Sequence, residues 1–423
     1  MLQLHTIREN RESIIERLKV RNHDFTSEID AVISLDEQRR STQKKLDDVS
    51  AESNVLARQV GELFKQGKAA EAGELREKAG ALKGSIAELK DKFQQIEDEL
   101  VEALKHIPNV PHPSVPIGNS DDDNEKIHEE GDIPDLGENK LPHWELAEKY
   151  NLIDFNLGSK ITGSGFPVYV GKGAQLQRAL INFFLAEASA AGYTEYQPPL
   201  VVNEDSGFGT GQLPDKEGQM YVIGEESLYL IPTAEVPLTN IYRDVIVKSS
   251  DFPVKMCGYT PCFRREAGSY GKDVRGLNRL HQFDKVEIVQ IQHPDKSYET
   301  LDTMVAHVQG LLQKLELPFR ILRLCGGDIG FTSALTFDME VFSAAQERWL
   351  EVSSISNFET YQANRLSCRF KNAEGKNQLV HTLNGSALAL PRIVAALLEN
   401  NQTAEGIRIP QALAKYTGFD VID

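Results

Sequence analysis

Apolar residues recur at alternating spacings of four and three between residues 28 and 105, a stretch that contains no proline. This heptad spacing is typical of helices that pack along a narrow apolar seam. The segment KQGKAAEAG, with Gly67 and Gly73, separates two such runs and favours a chain reversal. We therefore predict an antiparallel helical hairpin whose helices, of roughly 36 residues each, are about 55 Å long. The seam positions are Thr42, Leu46, Val49, Ser53, Leu56, Val60 and Leu63, followed by Leu75, Ala79, Leu82, Ile86, Leu89, Phe93, Ile96 and Leu100.

Proline and acidic residues interrupt the helical pattern after the hairpin. HIPNVPHPSVPIG contains four prolines, which disfavour a helix, and an acidic run, NSDDDNEKIHEEGDIPDLGENK, follows. Beyond it, helical patterns such as AQLQRALINFFLAEASAAG alternate with short β-rich stretches such as SLYLIP and KVEIVQI. We predict a helical arm over residues 1–110, a linker over 111–140, and an α+β domain over 141–423, built on a largely antiparallel sheet flanked by helices.

Charge separates the arm from the rest of the chain. The 423 residues carry a net charge of -17, which argues against a protein that coats nucleic acid without specificity. Residues 1–105 contribute only -3 of this charge. The arm is either a purely structural coiled coil or a surface that also contacts phosphates. The basic side chains that would make such contacts include Arg39, Arg40, Lys44, Lys45, Arg58, Lys65, Lys68, Arg76 and Lys78.

The chain shows no signal for secretion or membrane insertion. Its first residues mix Glu with Arg and contain no apolar core of a signal peptide, and no window is apolar over the roughly 20 residues that span a bilayer. Its four cysteines, Cys257, Cys262, Cys325 and Cys368, are widely spaced and form no C-x-x-C pair. We expect a cytoplasmic protein with no membrane contact, whose cysteines are buried free thiols.

One block in the predicted sheet contains side chains suited to binding phosphate: CFRREAGSYGKDVRGLNRLHQFDKVEIV. Arg264 on a strand can make a bidentate contact with a phosphate, and alternation would place Glu266 on the same side. The block resembles motif 2 of the class II aminoacyl-tRNA synthetases, two strands joined by a loop. The resemblance implies that Arg264 holds the α-phosphate of ATP. The same resemblance assigns Arg265, Glu266 and Phe283 to the ATP site. Glu266 would contact the adenine amino group, and Phe283 would stack on the base. Arg275 and His281 would lie near pyrophosphate or the acceptor end of the tRNA. Without the surrounding block, the favoured interpretations are a core position for Phe283 and a cross-strand charge pattern for Arg264 with Glu266.

Two further segments resemble the other class II motifs. The helix around Ala179 to Ala190, followed by Pro199, is similar to motif 1, which implies a homodimer. HTLNGSALALPRIVAALLENNQ resembles motif 3, which implies that Arg392 contacts the γ-phosphate and, with Arg264, carries the catalysis. Pro391 occupies a favourable first position of the helix, whose N-terminus attracts anions.

Other segments resemble the seryl-tRNA synthetases of the bacterial type. LIPTAEVPLTN contains a TAE triplet, and the resemblance implies serine contacts from Thr233, Ala234, Glu235, Glu287 and Ser386. A carboxylate that neutralises the serine ammonium, together with acceptors for its hydroxyl, suits this substrate. Thr233 as a helix cap and Glu235 as a first-turn acid are the alternatives.

The segment ERWLEVSSISNFETYQANRL completes the resemblance. It implies that Glu351, Val352, Ser353 and Ser354 belong to the ATP site, where Val352 and Ser353 line the nucleotide. Glu351 and Ser354 would also bind Mg²⁺. Hard oxygen ligands and ATP phosphates are a typical Mg²⁺ shell. A strand bearing a solvated carboxylate is the other interpretation.

Together these resemblances imply a serine–tRNA ligase. It would convert serine and ATP into seryl-adenylate and transfer serine to the 3′ end of tRNA(Ser), with tRNA(Sec) as a further acceptor, while the arm grips the tRNA. Two alternatives stay open: a related ligase that loads a carrier protein, and a non-catalytic paralogue. The long arm speaks against the first, and retention of Arg264, Glu351 and Arg392 speaks against the second.

Overall fold

The structure is a computed structural model that describes residues 1–224, 226–266 and 275–423. The chain forms two compact units. The first contains residues 1–19 and 23–108, and the second contains residues 20–22 and 109–423.

Among the described residues, the first unit contains helices and no strands. Its helices are α1 (Leu4–Glu9), α2 (Arg11–Leu18), α3 (Thr26–Lys65) and α4 (Ala69–Lys105). The last two are the predicted hairpin, and every predicted seam residue is buried or half-buried. At the end of α3, Gly67 has a φ of +74°, and Lys68 N–H donates to Leu63 O at 3.0 Å, which is the hydrogen bond of a glycine C-cap. The reversal therefore falls at Gly67, whereas Gly73 lies inside α4.

The second unit is α+β. Its helices are α5 (His143–Lys149), α6 (Phe155–Ile161), α7 (Gly171–Ala190), α8 (Glu204–Thr210), α9 (Glu235–Asn240), α10 (Ser297–Lys314), α11 (Thr360–Leu366), α12 (Leu390–Asn400) and α13 (Gln411–Thr417). Its strands are β1 (Glu125–Glu130), β2 (Ile153–Asp154), β3 (Val168–Tyr169), β4 (Thr194–Glu195), β5 (Val201–Asn203), β6 (Val222–Ile223), β7 (Leu228–Leu230), β8 (Ile246–Val247), β9 (Val254–Phe263), β10 (Gln282–Gln292), β11 (Phe319–Arg323), β12 (Leu335–Ser343), β13 (Arg348–Asn357), β14 (Arg369–Lys371), β15 (Asn377–Leu379), β16 (His381–Ala389), β17 (Gln402–Thr403), β18 (Gly406–Arg408) and β19 (Val421–Ile422).

A large sheet of eight described strands organises the second unit, in the order β1-β11-β12-β13-β16-β10-β9-β4. All neighbouring pairs in it are antiparallel except β4 with β9. Helices α7, α10 and α12 pack against these strands and close a core that includes Phe183, Phe184, Leu311 and Ile393. The predicted fold class, a helical hairpin with an antiparallel sheet flanked by helices, is confirmed.

The acidic segment between arm and body differs from a free linker. Its residues Glu125–Glu130 form β1, which pairs with β11 at the edge of the large sheet. Arg323 on β11 donates to Glu125 at 3.0 Å, so opposite charges line this edge. Charged side chains are usual on an edge strand because they stay in water while the backbone completes the ladder.

Two simpler expectations concern the whole chain. All four cysteines are buried and free. Among the helices of the described ranges, none is both long enough and apolar enough to cross a bilayer.

Candidate active site

Three neighbouring strands, β13, β16 and β10, carry seven of the predicted site residues, and β9 pairs with the outer side of β10. Strand β10 pairs with β9 without interruption from Gln282 to Ile291, so its side chains alternate regularly between the two faces of the sheet. Phe283, Lys285 and Glu287 consequently share one face. On the other side of β10, Glu287 stands directly opposite Ser386 of β16, next to a shift in register between these strands.

The residues predicted to bind serine meet around Glu287, which is only 1% exposed. Thr233 lies between β7 and α9, and its hydroxyl donates to Oε2 of Glu287 at 2.9 Å. Lys285 places its ammonium 2.5 Å from the same oxygen. The Thr233 hydroxyl also accepts a hydrogen bond from Glu235 N–H at 3.2 Å, so this residue supports the start of α9 while it contacts Glu287. Ala234 is buried beside it.

Glu235 opens α9, as a first-turn acid would, but its side chain points into the protein rather than into water. Gln362 of α11 donates to its carboxylate at 2.7 Å and accepts a hydrogen bond from Thr382 at 2.7 Å. Burial, with the nearby charge of Glu287, raises the pKa of Glu235 to about 7. A carboxyl group that exchanges its proton near neutral pH therefore lies close to Glu287.

Ser386 and Ser353 connect β16 with β13. The Ser353 hydroxyl donates to the backbone oxygen of Ser386 at 2.5 Å, and both side chains are buried. Val352, the preceding residue on β13, is 1% exposed and packs in the main core. Ser353 thus fixes the backbone of β16 at the point where Ser386 faces Glu287.

Arg264 follows directly after β9. Its backbone N–H donates to His281 O at 2.9 Å and extends the ladder by one step, and its guanidinium lies 5.2 Å from the ring centre of Phe283. An arginine over an aromatic ring is a favourable contact, and both groups remain half-exposed. Arg265 N–H donates to Gln219 O at 2.9 Å.

Glu266 corrects one expectation. Its φ of +47° is left-handed, so the two-residue alternation that would place Glu266 on the same side as Arg264 ends with the strand. Its carboxylate instead lies 3.6 Å from the guanidinium of Arg279. Residues 267–274 of the motif 2 block lie outside the described residues.

The segment that re-enters β10 is held by buried polar contacts. Leu277 N–H donates to Nε2 of His143 at 2.8 Å, and Nδ1 of His143 lies 2.7 Å from the carboxylate of Glu399 on α12. His143 is fully buried. The hydrogen bond from Leu277 makes Nε2 an acceptor, so the proton of the neutral imidazole is on Nδ1 and points to Glu399. Nearby, the guanidinium of Arg275 lies 4.6 Å from the ring centre of Trp144.

Arg392, in the first turn of α12, faces β13 and the re-entry segment. Its Nη1 donates to the backbone oxygen of Glu351 at 2.7 Å, and its Nε donates to Asn278 O at 3.1 Å. The Glu351 carboxylate lies 3.8 Å from Nη1. Pro391 is the second residue of this helix, one position later than the sequence predicts.

The predicted metal ligands lie next to a further acid. Ser354 on β13 pairs with Asp338 on β12, and the charge of Glu351 helps burial to raise the pKa of Asp338. Oδ1 of Asp338 is buried and has no hydrogen-bond partner within the described ranges. In the same ranges, no three His, Cys, Asp or Glu side chains are arranged to hold a metal by themselves. The donors present, Glu351 and Ser354 with an unsatisfied carboxylate oxygen nearby, suit a hard cation that takes its other ligands from a substrate.

Lys285, Gln362, Asp338 and Asn278 are members of this site that the sequence analysis did not assign. Lys285 was detectable in principle, because a lysine two residues from Glu287 on an apolar strand must be buried with it. Nothing local distinguishes the other three from ordinary polar residues.

Comparison with known proteins identifies the family of this chain. Residues 221–401 match the family model of the tRNA synthetase class II core domain (G, H, P, S and T), and residues 1–111 match that of the seryl-tRNA synthetase N-terminal domain. The serine–tRNA ligase of Salinibacter ruber is 52% identical over 99% of this chain and 98% of its own length. That of Akkermansia muciniphila is 46% identical over 100% of this chain and 99% of its own.

Solved structures give the same result. Seryl-tRNA synthetase from Pyrococcus horikoshii, complexed with ATP, superposes with a TM-score of 0.92 at 34% identity and covers 100% of this chain and 99% of its own. The cytoplasmic serine–tRNA ligase from Naegleria fowleri, in complex with AMP, gives a TM-score of 0.87 at 26% identity, with the same coverage. The chain therefore belongs to the seryl-tRNA synthetases, the class II ligases that join serine to tRNA.

Proposed function

We propose that the residues around β10 form the seryl-adenylate site of this ligase. The observation that carries the proposal is the meeting of Thr233, Glu287 and Ser386, which lie far apart in the sequence, in one cluster of buried polar side chains. Glu287 would neutralise the ammonium of serine, and the hydroxyls of Thr233 and Ser386, with the carboxyl of Glu235 beside Ala234, would complete the polar lining. A pocket that pairs with the substrate hydroxyl leaves buried groups unpaired when alanine enters, which gives discrimination of roughly 10⁴.

The ATP end of the site is proposed at the other end of the same strand. Adenine would stack on Phe283, with Glu266 at its amino group and Arg265, Val352 and Ser353 around the nucleotide. Arg264 would hold the α-phosphate and Arg392 the γ-phosphate. The serine carboxylate attacks the α-phosphorus, and pyrophosphate leaves. Because this reaction needs no protein nucleophile, positioning and stabilisation of phosphate charge by the two arginines supply the catalysis.

Mg²⁺ is proposed as the cofactor, held by Glu351 and Ser354. When bound, it would neutralise phosphate charge and orient the triphosphate. The unsatisfied oxygen of Asp338 beside these donors supports a cation at this place. Arg392, which contacts the backbone oxygen of Glu351, would then reach its phosphate from a position next to the metal ligands.

The remaining proposals concern partners. The hairpin of α3 and α4 would grip tRNA(Ser) mainly through shape and phosphate contacts, and tRNA(Sec) is proposed as a further acceptor. The match of residues 1–111 to the N-terminal domain of seryl-tRNA synthetases favours tRNA over a carrier protein as acceptor. The motif 1 resemblance supports a homodimer, and the free buried cysteines support a cytoplasmic location.

An aminoacylation assay tests the proposal. The full chain is incubated with ATP, Mg²⁺ and total tRNA, with labelled serine, threonine or alanine in parallel. Serine alone should accumulate on tRNA. Label that appears only on a protein carrier would favour the carrier-protein ligase, and absence of serine-dependent pyrophosphate exchange would contradict the proposed site. Repeating the assay with isolated tRNA(Sec) decides whether that tRNA is also charged.

A further inference from the structure

Lys285 is a buried cation that the proposed reaction does not yet use. Its side chain is 7% exposed, and its ammonium lies 2.5 Å from Oε2 of Glu287. A buried charge must be paired, and Glu287 provides the pair in the free protein. Neutralisation of Glu287 is therefore the simplest role for this lysine.

The order of side chains along β10 places Lys285 between the two substrates. Phe283, Lys285 and Glu287 share one face and are spaced by about 7 Å per two residues. At one end, the ring of Phe283 contacts the guanidinium of Arg264. At the other end, the carboxylate of Glu287 accepts a hydrogen bond from the hydroxyl of Thr233. The position between the amino-acid end and the ATP end is the position where the serine carboxylate must meet the α-phosphate.

Binding of serine changes the partner of Lys285. Oε2 of Glu287 already accepts from both Thr233 and Lys285. A serine ammonium at this carboxylate adds a second cation within a few ångströms of the first, and two like charges in a poorly solvated pocket repel each other. The nearby carboxylate of Glu235 already accepts a hydrogen bond from Gln362. The arriving ammonium thus competes directly with Lys285 for Glu287.

We infer that Lys285 is a catalytic residue of serine activation: it leaves Glu287 when the serine ammonium binds, and its ammonium then contacts the reacting carboxylate and a non-bridging oxygen of the α-phosphate. This inference rests on the proposed adenylate site. In the step itself a serine carboxylate oxygen bonds to the α-phosphorus, and the bond from that phosphorus to the oxygen bridging to the β-phosphate breaks. The electron pair departs with pyrophosphate. Lys285 remains protonated throughout and transfers no proton, so it acts by stabilising negative charge.

The test compares Lys285→Gln, Lys285→Arg and the wild type in serine-dependent ATP–pyrophosphate exchange, with kcat and KM measured for both substrates. Loss of one well-placed donor to developing charge lowers kcat about 100-fold or more, and we expect this for Lys285→Gln. The KM for serine should stay the same or fall, because a competitor for Glu287 is gone. Lys285→Arg keeps the charge at a different reach and should retain an intermediate kcat. Lys255→Gln is the matched control, since Lys255 on β9 donates to Ala191 O, away from the pocket, and it should keep the wild-type kcat.

Each outcome has a defined meaning. A wild-type kcat in Lys285→Gln, with or without a changed KM for serine, would overturn the inference and leave Lys285 as the neutralising partner of Glu287. If Lys285→Gln does not fold, judged by circular dichroism, Lys285→Arg decides: a reduced kcat at an unchanged KM for serine supports the inference, and a wild-type kcat overturns it. Inactivity of the wild type in this exchange would instead contradict the proposed site. The two failures are therefore distinguishable.

Discussion

The hydroxyl of Thr233 lies 2.9 Å from the carboxylate of Glu287, although 54 residues separate them in the chain. The contact joins the loop before α9 to the middle of the large sheet, and both side chains are buried. A buried hydroxyl–carboxylate pair is stronger than a neutral hydrogen bond, so the loop and the strand hold each other in one arrangement.

Replacement of Glu287 should selectively abolish serine activation. We expect Glu287→Ala to collapse serine-dependent pyrophosphate exchange with only a modest change in the KM for ATP, because the ammonium of serine loses its counter-charge while the ATP end of β10 is unaltered. Thr233→Val removes one hydrogen bond to a charged group, worth about 1.5–3 kcal/mol, and should give a smaller loss. Steady-state kinetics with varied serine and varied ATP measures both. Unchanged activation kinetics in Glu287→Ala would exclude this residue from the site.

Glu235 should make stability depend on pH near neutrality. Burial and the charge of Glu287 raise its pKa from 4.5 to about 7, so the folded protein binds the proton more tightly than the unfolded chain. The stability that this residue contributes is complete below about pH 4.5 and is lost as the pH rises through 7, a change of about 3 kcal/mol. Glu235→Gln has no such titration. We expect its advantage over the wild type in free energy of unfolding to grow by about that amount between pH 4.5 and 8.

Urea unfolding followed by tryptophan fluorescence measures this difference in the right part of the molecule. The two tryptophans, Trp144 and Trp349, both lie in the second unit, which also contains Glu235. Parallel pH profiles for wild type and Glu235→Gln would contradict the raised pKa.

Removal of residues 28–105 should separate the two steps of the reaction. The deletion lies within the first unit and takes away nearly all of α3 and α4. Serine-dependent pyrophosphate exchange should remain largely intact, because every residue proposed for the adenylate site belongs to the second unit. Aminoacylation should be abolished, since loss of one of two linked binding surfaces weakens binding by about 10²- to 10⁴-fold.

Pyrophosphate exchange needs no tRNA and therefore serves as the internal control for this deletion. Both activities are measured on the same preparation of the shortened chain. Equal loss of both would contradict the division of labour between arm and body.

His143 should be a stability determinant of the segment that re-enters β10. His143→Leu deprives the Leu277 amide of its acceptor and removes one donor from the buried Glu399, and breaking such a pair costs about 3 kcal/mol. Tryptophan-detected urea unfolding measures the loss. The matched control is His128→Leu. His128 pairs with Glu130 at 3.0 Å on the exposed edge strand β1, so its replacement should cost less than about 1 kcal/mol. Similar losses in both variants would show that the buried contact has no special weight.

The sequence predicted those features whose cause is local or periodic. The hairpin follows from heptad spacing alone, because a seam such as Leu56 to Leu63 has no other way to leave water than against a second helix. Pro391 predicted a helix start, since its ring already has the right backbone angle. The residues predicted to bind serine were identified through the resemblance to a family. The structure brings three of them, Thr233, Glu287 and Ser386, together.

Features that depend on distant partners were not predictable. The strand at Glu125–Glu130 exists because β11 supplies backbone partners and Arg323 supplies a charge, and neither is visible in an acidic segment read by itself. The left-handed backbone of Glu266 ends a strand that alternation would have continued. Gln362 becomes part of the site only because α11 is folded against Glu235.

The unbroken pairing of β10 with β9 has an evolutionary consequence. If one residue were added or removed between Phe283 and Glu287 while the pairing stayed regular, the aromatic ring and the carboxylate would lie on opposite faces of the sheet. Natural and engineered variation in chain length must therefore occur outside this five-residue window. In the proposed site, the distance between the adenine and the serine of the product is then set by the rise of an extended backbone, which point substitutions do not change.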